Sequence, residues 1–293
     1  MLQPNQSDGK RRSMTRSSQE FKHKILQEMG DKASITVSVS FCKNNTFRGS
    51  ALLITNIVCD YEENNRYGAE IDEENMEWLL RTLGYHVVKR RNLSGEETDR
   101  EVRNFSKLLS EHRDADSTFV VIMSHGERID NRDAILGVHY HQSRNPNDVY
   151  FVDKTFSHLN SENCPALIDK QKVILIQACR GACIYSKIVF HIVNCHSGHP
   201  GGVEVRDQVP ESDSWVHREK DFVCFMSTIP DTASYRNTKT GSHFINYILD
   251  VFCEWAHKDE IMELFRKVIT KDKLLPGLER TYLPKKFYLF PGL

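Results

Sequence analysis

Short apolar runs alternate with amphipathic stretches from Gly49 onward. The first run, Ser50-Ala51-Leu52-Leu53-Ile54, predicts a buried strand. Between Asp72 and Leu83, the residues Met76, Leu79, Leu80 and Leu83 recur at helical spacing, and Gly84 supplies a stop. Tyr85-His86-Val87-Val88 predicts a second short strand. Gly95 to His112 predicts an amphipathic helix with Val102, Phe105, Leu108 and Leu109 on one side. A strand over 119–123, a loop-rich stretch, a helix near 153–160 and a strand over 173–176 follow. Phe222-Val223-Cys224-Phe225-Met226 then predicts a strand, and Phe244 to Phe252 and Glu260 to Ile269 predict helices. Phe287-Tyr288-Leu289-Phe290 predicts a final strand. This alternation predicts an α/β fold with a mostly parallel sheet covered on both faces.

Residues 1–46 are polar and irregular, with basic pieces such as Lys10-Arg11-Arg12. They read as a short N-terminal tail with room for a helix from Gln19 to Met29 and none for a long helical adaptor domain. The 293 residues hold one large α/β domain plus this tail. A formal charge of −1 offers no electrostatic grip on nucleic acid or an anionic membrane. No apolar stretch approaches the roughly 20 residues that span a bilayer. The first residues lack the apolar core of a signal peptide. Eight cysteines without framework spacing are expected to stay reduced. The expected location is therefore the cytoplasm, with the nucleus as a second compartment.

Two of the apolar runs end in reactive side chains. Val173-Ile174-Leu175-Ile176 leads into Gln177-Ala178-Cys179-Arg180-Gly181. Val120-Val121-Ile122-Met123 leads into Ser124-His125-Gly126. The C-terminal ends of sheet strands are where α/β enzymes place reactive groups. A thiol and an imidazole brought together there make a nucleophile, Cys179, and a general acid/base, His125. Taken alone, each has a plainer reading as a buried structural cysteine and a strand-end histidine. The pentapeptide matches a recorded caspase signature, Q-A-C-[RQG]-G with a histidine about 50 residues upstream. From about residue 48 to the end, the chain resembles the caspases, cysteine proteases that cut after aspartate.

The resemblance carries further residues with it. It assigns the donors for the oxyanion to the backbone N–H groups of Gly126 and Cys179. Asn65-Arg66-Tyr67-Gly68-Ala69-Glu70-Ile71-Asp72 is similar to the family's R-x-G-x-x-x-D segment and places Arg66 in the pocket for aspartate. Ser234-Tyr235-Arg236-Asn237 is similar to S-[WY]-R and places Arg236 on the substrate backbone and carboxylate. Gln177 is the third pocket residue. Arginine suits this task because its planar fork grips a carboxylate with two charge-assisted bonds. Tyr235 would line the next subsite, Asn237 would lie near the outermost one, and Ser242 would support the pocket. Lys286 to Gly292 and Glu219-Lys220-Asp221-Phe222 are most similar to the inflammatory caspases. Asp250-Val251-Phe252 is similar to the skin-differentiation member.

The caspase-like fold so implied has a central, mostly parallel six-stranded sheet flanked by helices. Residues 47–181 would form a large catalytic portion and 219–293 a small one. Residues 182–218 would be an inserted segment and linker, with Asp207 and Asp213 as candidate maturation sites. The resemblance further implies a homodimer, protein substrates with aspartate at P1, no cofactor, and a role in apoptosis, inflammation or differentiation.

One stretch departs from the family. Ala182 to Asn194 is apolar and β-branched where relatives have a short polar loop, and about 18 residues look inserted. A lineage-specific loop, an alternatively spliced product and a translated intron all account for it. An exposed run of this kind is an aggregation liability. It motivates an alternative function, a catalytically impaired regulator that keeps the fold. Cys183, His191, Cys195, His196 and His199 are residue types that bind zinc, but their spacing fits no standard closed site and no metal is expected. No Gly-rich phosphate loop follows any strand, which argues against a nucleotide-binding protein.

Overall fold

A strand covered on both faces is built around an unbroken apolar run, and four runs in this chain meet that condition, within residues 49–55, 117–123, 171–177 and 222–226. The computed structural model describes residues 48–181, 218–271 and 275–289. In chain order its strands and helices begin with β1 (Gly49–Thr55), α1 (Ala69–Thr82), β2 (Tyr85–Arg91), α2 (Gly95–Ser106) and α3 (Leu109–Asp114). They continue through β3 (Ser117–Met123), β4 (Gly126–Ile129), β5 (Arg132–Leu136), β6 (Val149–Phe151), α4 (Asp153–Leu159) and β7 (Gln171–Gln177). The remainder are β8 (Phe222–Met226), β9 (Arg236–Asn237), β10 (Gly241–Ser242), α5 (His243–Trp255), α6 (Ile261–Thr270) and β11 (Gly277–Tyr282).

The main sheet has six strands in the order β11-β8-β7-β3-β1-β2. All neighbours run parallel except β11, which lies antiparallel to β8 at one edge. Every residue of β1, β3 and β7 is buried. Successive side chains leave opposite faces, so these strands feed two cores. Leu53, Val121 and Leu175 join Met76 of α1, Phe244 of α5 and Phe265 of α6 on one face. Leu52, Ile122 and Ile176 join Val102 of α2 and Phe156 of α4 on the other. The α/β fold with a mostly parallel six-stranded sheet is therefore as expected.

Several local expectations change. The helix expected over Gly95 to His112 is two helices. Lys107 and Leu108 bond back three residues, to the carbonyls of Asn104 and Phe105, and the turn tightens until it ends. The break turns His112 inward, its Nε2 2.7 Å from the Phe105 carbonyl, and leaves Leu109 half exposed instead of on the buried side. The start of α2 carries a capping box: Ser94 accepts from Glu97 N–H, and the Glu97 carboxylate accepts from Ser94 N–H.

The stretch expected to be loop holds a second, three-stranded antiparallel sheet, β4-β5-β6. Of the strand expected over Phe287 to Phe290, the described residues 287–289 do not form the last sheet strand; β11 does. Phe287 and Leu289 are buried against the core, yet that backbone makes only an isolated bridge, Tyr288 to Glu260. Apolarity there reports burial rather than pairing. The expected helix over Gln19 to Met29, the segment 182–199, its zinc-type residues, and Asp207 and Asp213 lie outside the described residues. Among the described residues no helix is long and apolar enough to cross a membrane.

Phe225 of β8 sits inside the larger core, stacked on Phe265 at 4.3 Å between centroids and tilted against Phe244 at 5.0 Å. Phe225→Ala is expected to cost about 3–5 kcal/mol, and Ser94→Ala about 1 kcal/mol. Urea midpoints of the two variants measure this, and equal losses would contradict the packing described.

Candidate active site

The site begins with strand register. β3 and β7 pair parallel with Met123 opposite Gln177, so both strands end at the same height. His125 and Cys179 each follow two residues later. Ser124 N–H donates to the Gln177 carbonyl at 3.1 Å and carries the pairing one step beyond the strands. Buried Asn56, just after β1, donates to Ser124 Oγ at 3.1 Å and to the Leu136 carbonyl at 3.2 Å. Three strand ends are thereby tied together under the reactive pair.

Gly126 is required by close approach. A Cβ there would run into the Cys179 carbonyl oxygen and lie 2.8 Å from the Ala178 Cβ. Glycine lets the two backbone segments after β3 and β7 touch, which brings the peptide groups of Gly126 and Cys179 side by side.

The His125 ring is largely but not fully buried, with Nε2 2.8 Å from the Asn64 carbonyl. A carbonyl only accepts, so Nε2 carries the proton and Nδ1 is left as the basic nitrogen. Burial, and then the cation of Arg66, push the imidazole down to about 4, so at neutral pH it is uncharged. Cys179 Sγ is partly exposed and accepts from Ser234 N–H at 3.3 Å, a donor suited to a thiolate. The sulfur is thus engaged by the segment after β8, while the ring is held by the segment before α1.

Arg66 is fully enclosed. Its Nη1 donates to the carbonyls of Asn56 at 2.7 Å and Met123 at 3.0 Å. Its Nε has no partner, and neither does Oε1 of buried Gln177, whose Nε2 donates to Ser234 Oγ at 2.8 Å. Arg236 is half buried, with Nε donating to the Tyr67 carbonyl at 3.1 Å. Burial lowers both guanidinium groups, and Arg236 adds to the effect on Arg66, which comes down to about 9. Both remain cationic at neutral pH.

Two like charges in one buried region need a counter-charge, and Asp72 provides it. Its carboxylate acts electrostatically on both arginines. It accepts from Ser242 N–H at 2.7 Å and Ser242 Oγ at 2.6 Å. Ser242 is fully buried and serves this carboxylate. Gly241, at φ +83, allows the close approach, since a Cβ there would strike Asp72 Oδ1.

The residues singled out by sequence fall into two groups. His125, Gly126, Cys179, Gln177, Arg66 and Arg236 converge at the strand ends, with Ser242 behind them. Tyr235 stands at the rim, 63% exposed. The Asn237 side chain is occupied in its own turn, accepting from Lys239 N–H at 2.8 Å.

Residues without an expected role also belong here. Besides Asn64, Ser234 and Asp72 there is Arg180, buried beside Cys179. Its guanidinium makes a bidentate pair with Asp133 of β5 at 2.9 and 2.7 Å and a bond to Glu279 of β11 at 2.9 Å. The signal for Arg180 was present, an arginine inside the pentapeptide, but its partners lie 47 and 99 residues away.

Comparison with known proteins sets this geometry in a family. The Caspase domain family matches residues 48–288. Caspase b of Danio rerio is 55% identical over 304 residues, covering 100% of this chain and 68% of that protein. Caspase a of Danio rerio is 46% identical over 295 residues, covering 96% and 70%. Caspase-1-A of Xenopus laevis is 37% identical over 296 residues, covering 94% and 69%. The crystal structure of caspase-1 from Spodoptera frugiperda shares the fold, with a TM-score of 0.66 over 88% of this chain and 96% of that one at 21% identity. With the match running through every described element up to residue 288, the chain belongs to the caspase family of cysteine proteases.

Proposed function

We propose that the protein is an endopeptidase that cuts protein chains after aspartate, with Cys179 as nucleophile and His125 as general acid/base. The Nδ1 of His125 takes the thiol proton as Sγ attacks the scissile carbonyl carbon. The oxygen that becomes negative faces the N–H groups of Gly126 and Cys179, whose backbones lie in contact. When the C–N bond breaks, the same imidazole gives its proton to the leaving amine. Water then hydrolyses the thioester and restores the thiol.

One observation carries the aspartate preference. A buried guanidinium, Arg66, has an unpartnered Nε, with Arg236 as a second cation acting on it. Leaving buried polar atoms unpaired is costly, and a small carboxylate ligand would relieve that cost at Arg66. Arg66→Ala or Arg236→Ala is expected to lower kcat/KM on a short Asp-ending reporter about 100-fold. The preference for Asp over Asn should shrink with it. Cys179→Ala should abolish turnover. Folded protein that never cleaves the reporter would sink this reading. Activity confined to a chain lacking residues 182–199 would favour the impaired regulator, because that apolar segment directly follows the nucleophile loop.

The pH behaviour follows from the buried imidazole. The unfolded chain takes up a proton on this histidine near 6.5, and the folded chain only near 4. Between those values the unfolded state binds more protons, so stability rises with pH. The contribution is complete above pH 6.5 and is lost as pH falls to 4, by up to about 3 kcal/mol. Unfolding midpoints in urea at pH 4.5 and 7.5 should therefore differ more for the wild type than for His125→Gln. Equal differences would exclude a neutral buried His125.

For assembly, we propose a homodimer that pairs β11 of two copies. β11 is a sheet edge, and Leu278 and Tyr282 on it and Leu275 before it are exposed apolar side chains. Open edges of this kind pair unless they are blocked. Processing of the segment after Gly181, at Asp207 or Asp213, would divide the chain into a large portion and a small one. Sedimentation velocity should show a dimer that Leu278→Lys shifts towards monomer; an unchanged dimer would place the seam elsewhere.

A further inference from the structure

The His125 ring donates from Nε2 to the Asn64 carbonyl, so whatever fixes Asn64 helps to aim the base. Asn64 sits in a turn that closes on itself. Cys59 N–H donates to Asn65 Oδ1 at 2.8 Å. The N–H groups of Asn64 and Asn65 donate to the carbonyls of Tyr61 and Glu62 at 2.9 and 3.0 Å. Residues 59–65 are thereby held together as one unit. A cavity of about 240 Å3 is lined by Cys59 and Asn64 of this turn, by Tyr140 and His141 of the 137–145 loop, and by His125. A void gives its lining no contacts on that side, so the bond to Asn64 carries more of the ring's orientation.

The turn is joined to the 137–145 loop at several points. Asp60 N–H donates to the Val138 carbonyl at 3.0 Å. His139 Nδ1 donates to Asp60 Oδ2 at 2.7 Å, because a carboxylate oxygen accepts. The His141 ring lies 4.5 Å from that of Tyr61, and the Arg144 guanidinium 5.9 Å from the same ring. The loop has anchors of its own. Val138 N–H donates to the Leu93 carbonyl at 3.1 Å, and His139 N–H to Asp148 Oδ2 at 2.8 Å. Among these joints, the one between Asp60 and His139 changes charge near neutral pH.

Resting on the protease reading above, we propose that Asp60 and His139 are positioning residues for catalysis: their pair clamps the 59–65 turn against the 137–145 loop and so holds the Asn64 carbonyl where it aims His125. The pocket for aspartate stands apart from this clamp. Arg66 N–H donates to the Ile57 carbonyl at 2.8 Å, and its guanidinium is fixed by Asn56 and Met123. Loosening the clamp therefore acts on kcat and leaves KM nearly unchanged.

The clamp depends on pH. Asp60, first through its hydrogen bond, raises the His139 imidazole above its usual 6.5, and Asp148 and Glu97 add to this. The turn and the loop also carry Cys59, Glu63 and His141. At pH 6 the Asp60–His139 pair is charged; as pH climbs through the raised value the charge is lost and the clamp weakens.

The test measures kcat and KM of the full chain on a short Asp-ending reporter at pH 6 and pH 8.5. Active sites are counted with a thiol-alkylating peptide ending in aspartate, so that misfolded protein is not scored. Asp60→Asn and His139→Gln should each lower kcat per active site about threefold at pH 6, the scale of an exposed pair, and less at pH 8.5. Titration of His125 and Cys179 is common to all the proteins and cancels in the ratio to wild type. Exchanging the partners, Asp60→His with His139→Asp, should recover most of the loss. An unchanged kcat, a loss equal at both pH values, or a loss that the exchange does not recover overturns the positioning role alone. No turnover by the wild type overturns the protease reading, and the positioning role falls with it.

Discussion

The parallel pairing of β3 with β7 is the constraint on which the site depends. Met123 lies opposite Gln177, so the chain leaves both strands at one height. A slip of one residue would move every side chain of either strand to the wrong core. Two separate apolar cores, one on each face, therefore hold the register that brings the segments carrying His125 and Cys179 off the sheet at the same end. Gly126 completes the arrangement by letting the two departing segments touch. The chemistry is positioned by hydrocarbon packing some distance below it.

The charge arrangement follows from the same burial. Enclosing Arg66 removes its water, and two backbone carbonyls and Asp72 replace only part of that solvation. A buried cation that is incompletely paired is unfavourable by several kcal/mol. Such a site gains most from a ligand of opposite charge, because the cost was met during folding and the geometry is already set. Burial first, and the same cations in addition, keep His125 uncharged, which is the form that can accept a proton.

The legibility of these features in the sequence depended on what each residue type reports. β1, β3 and β7 were legible because burial on both faces demands an unbroken apolar run. β11 was not, because its centre, Glu279-Arg280-Thr281, is charged and polar, and an edge strand needs no apolar face. The sheet β4-β5-β6 was hidden for a similar reason: Glu127-Arg128 and Arg132-Asp133 read as loop. The expected strand at Phe287 erred in the other direction, since Phe287 and Leu289 filled the core without joining the ladder. Cys179, His125 and the pocket arginines stood out through short motifs. Asn64 could not, because it acts through its carbonyl, which every residue has.

Arg180 shows how far the site extends. Its guanidinium binds Asp133 of the small sheet and Glu279 on the outer edge of the main one, while its backbone exchanges bonds with Asp231 and Thr232. One buried side chain therefore joins the residue after the nucleophile to two sheets and to the loop after β8. Each link offsets part of the cost of burying that charge, so losing any one destabilises the others. The loop carrying Cys179 is thereby tied to both β5 and β11. Those links hold Cys179, which lies outside any helix or strand, beside Ser234.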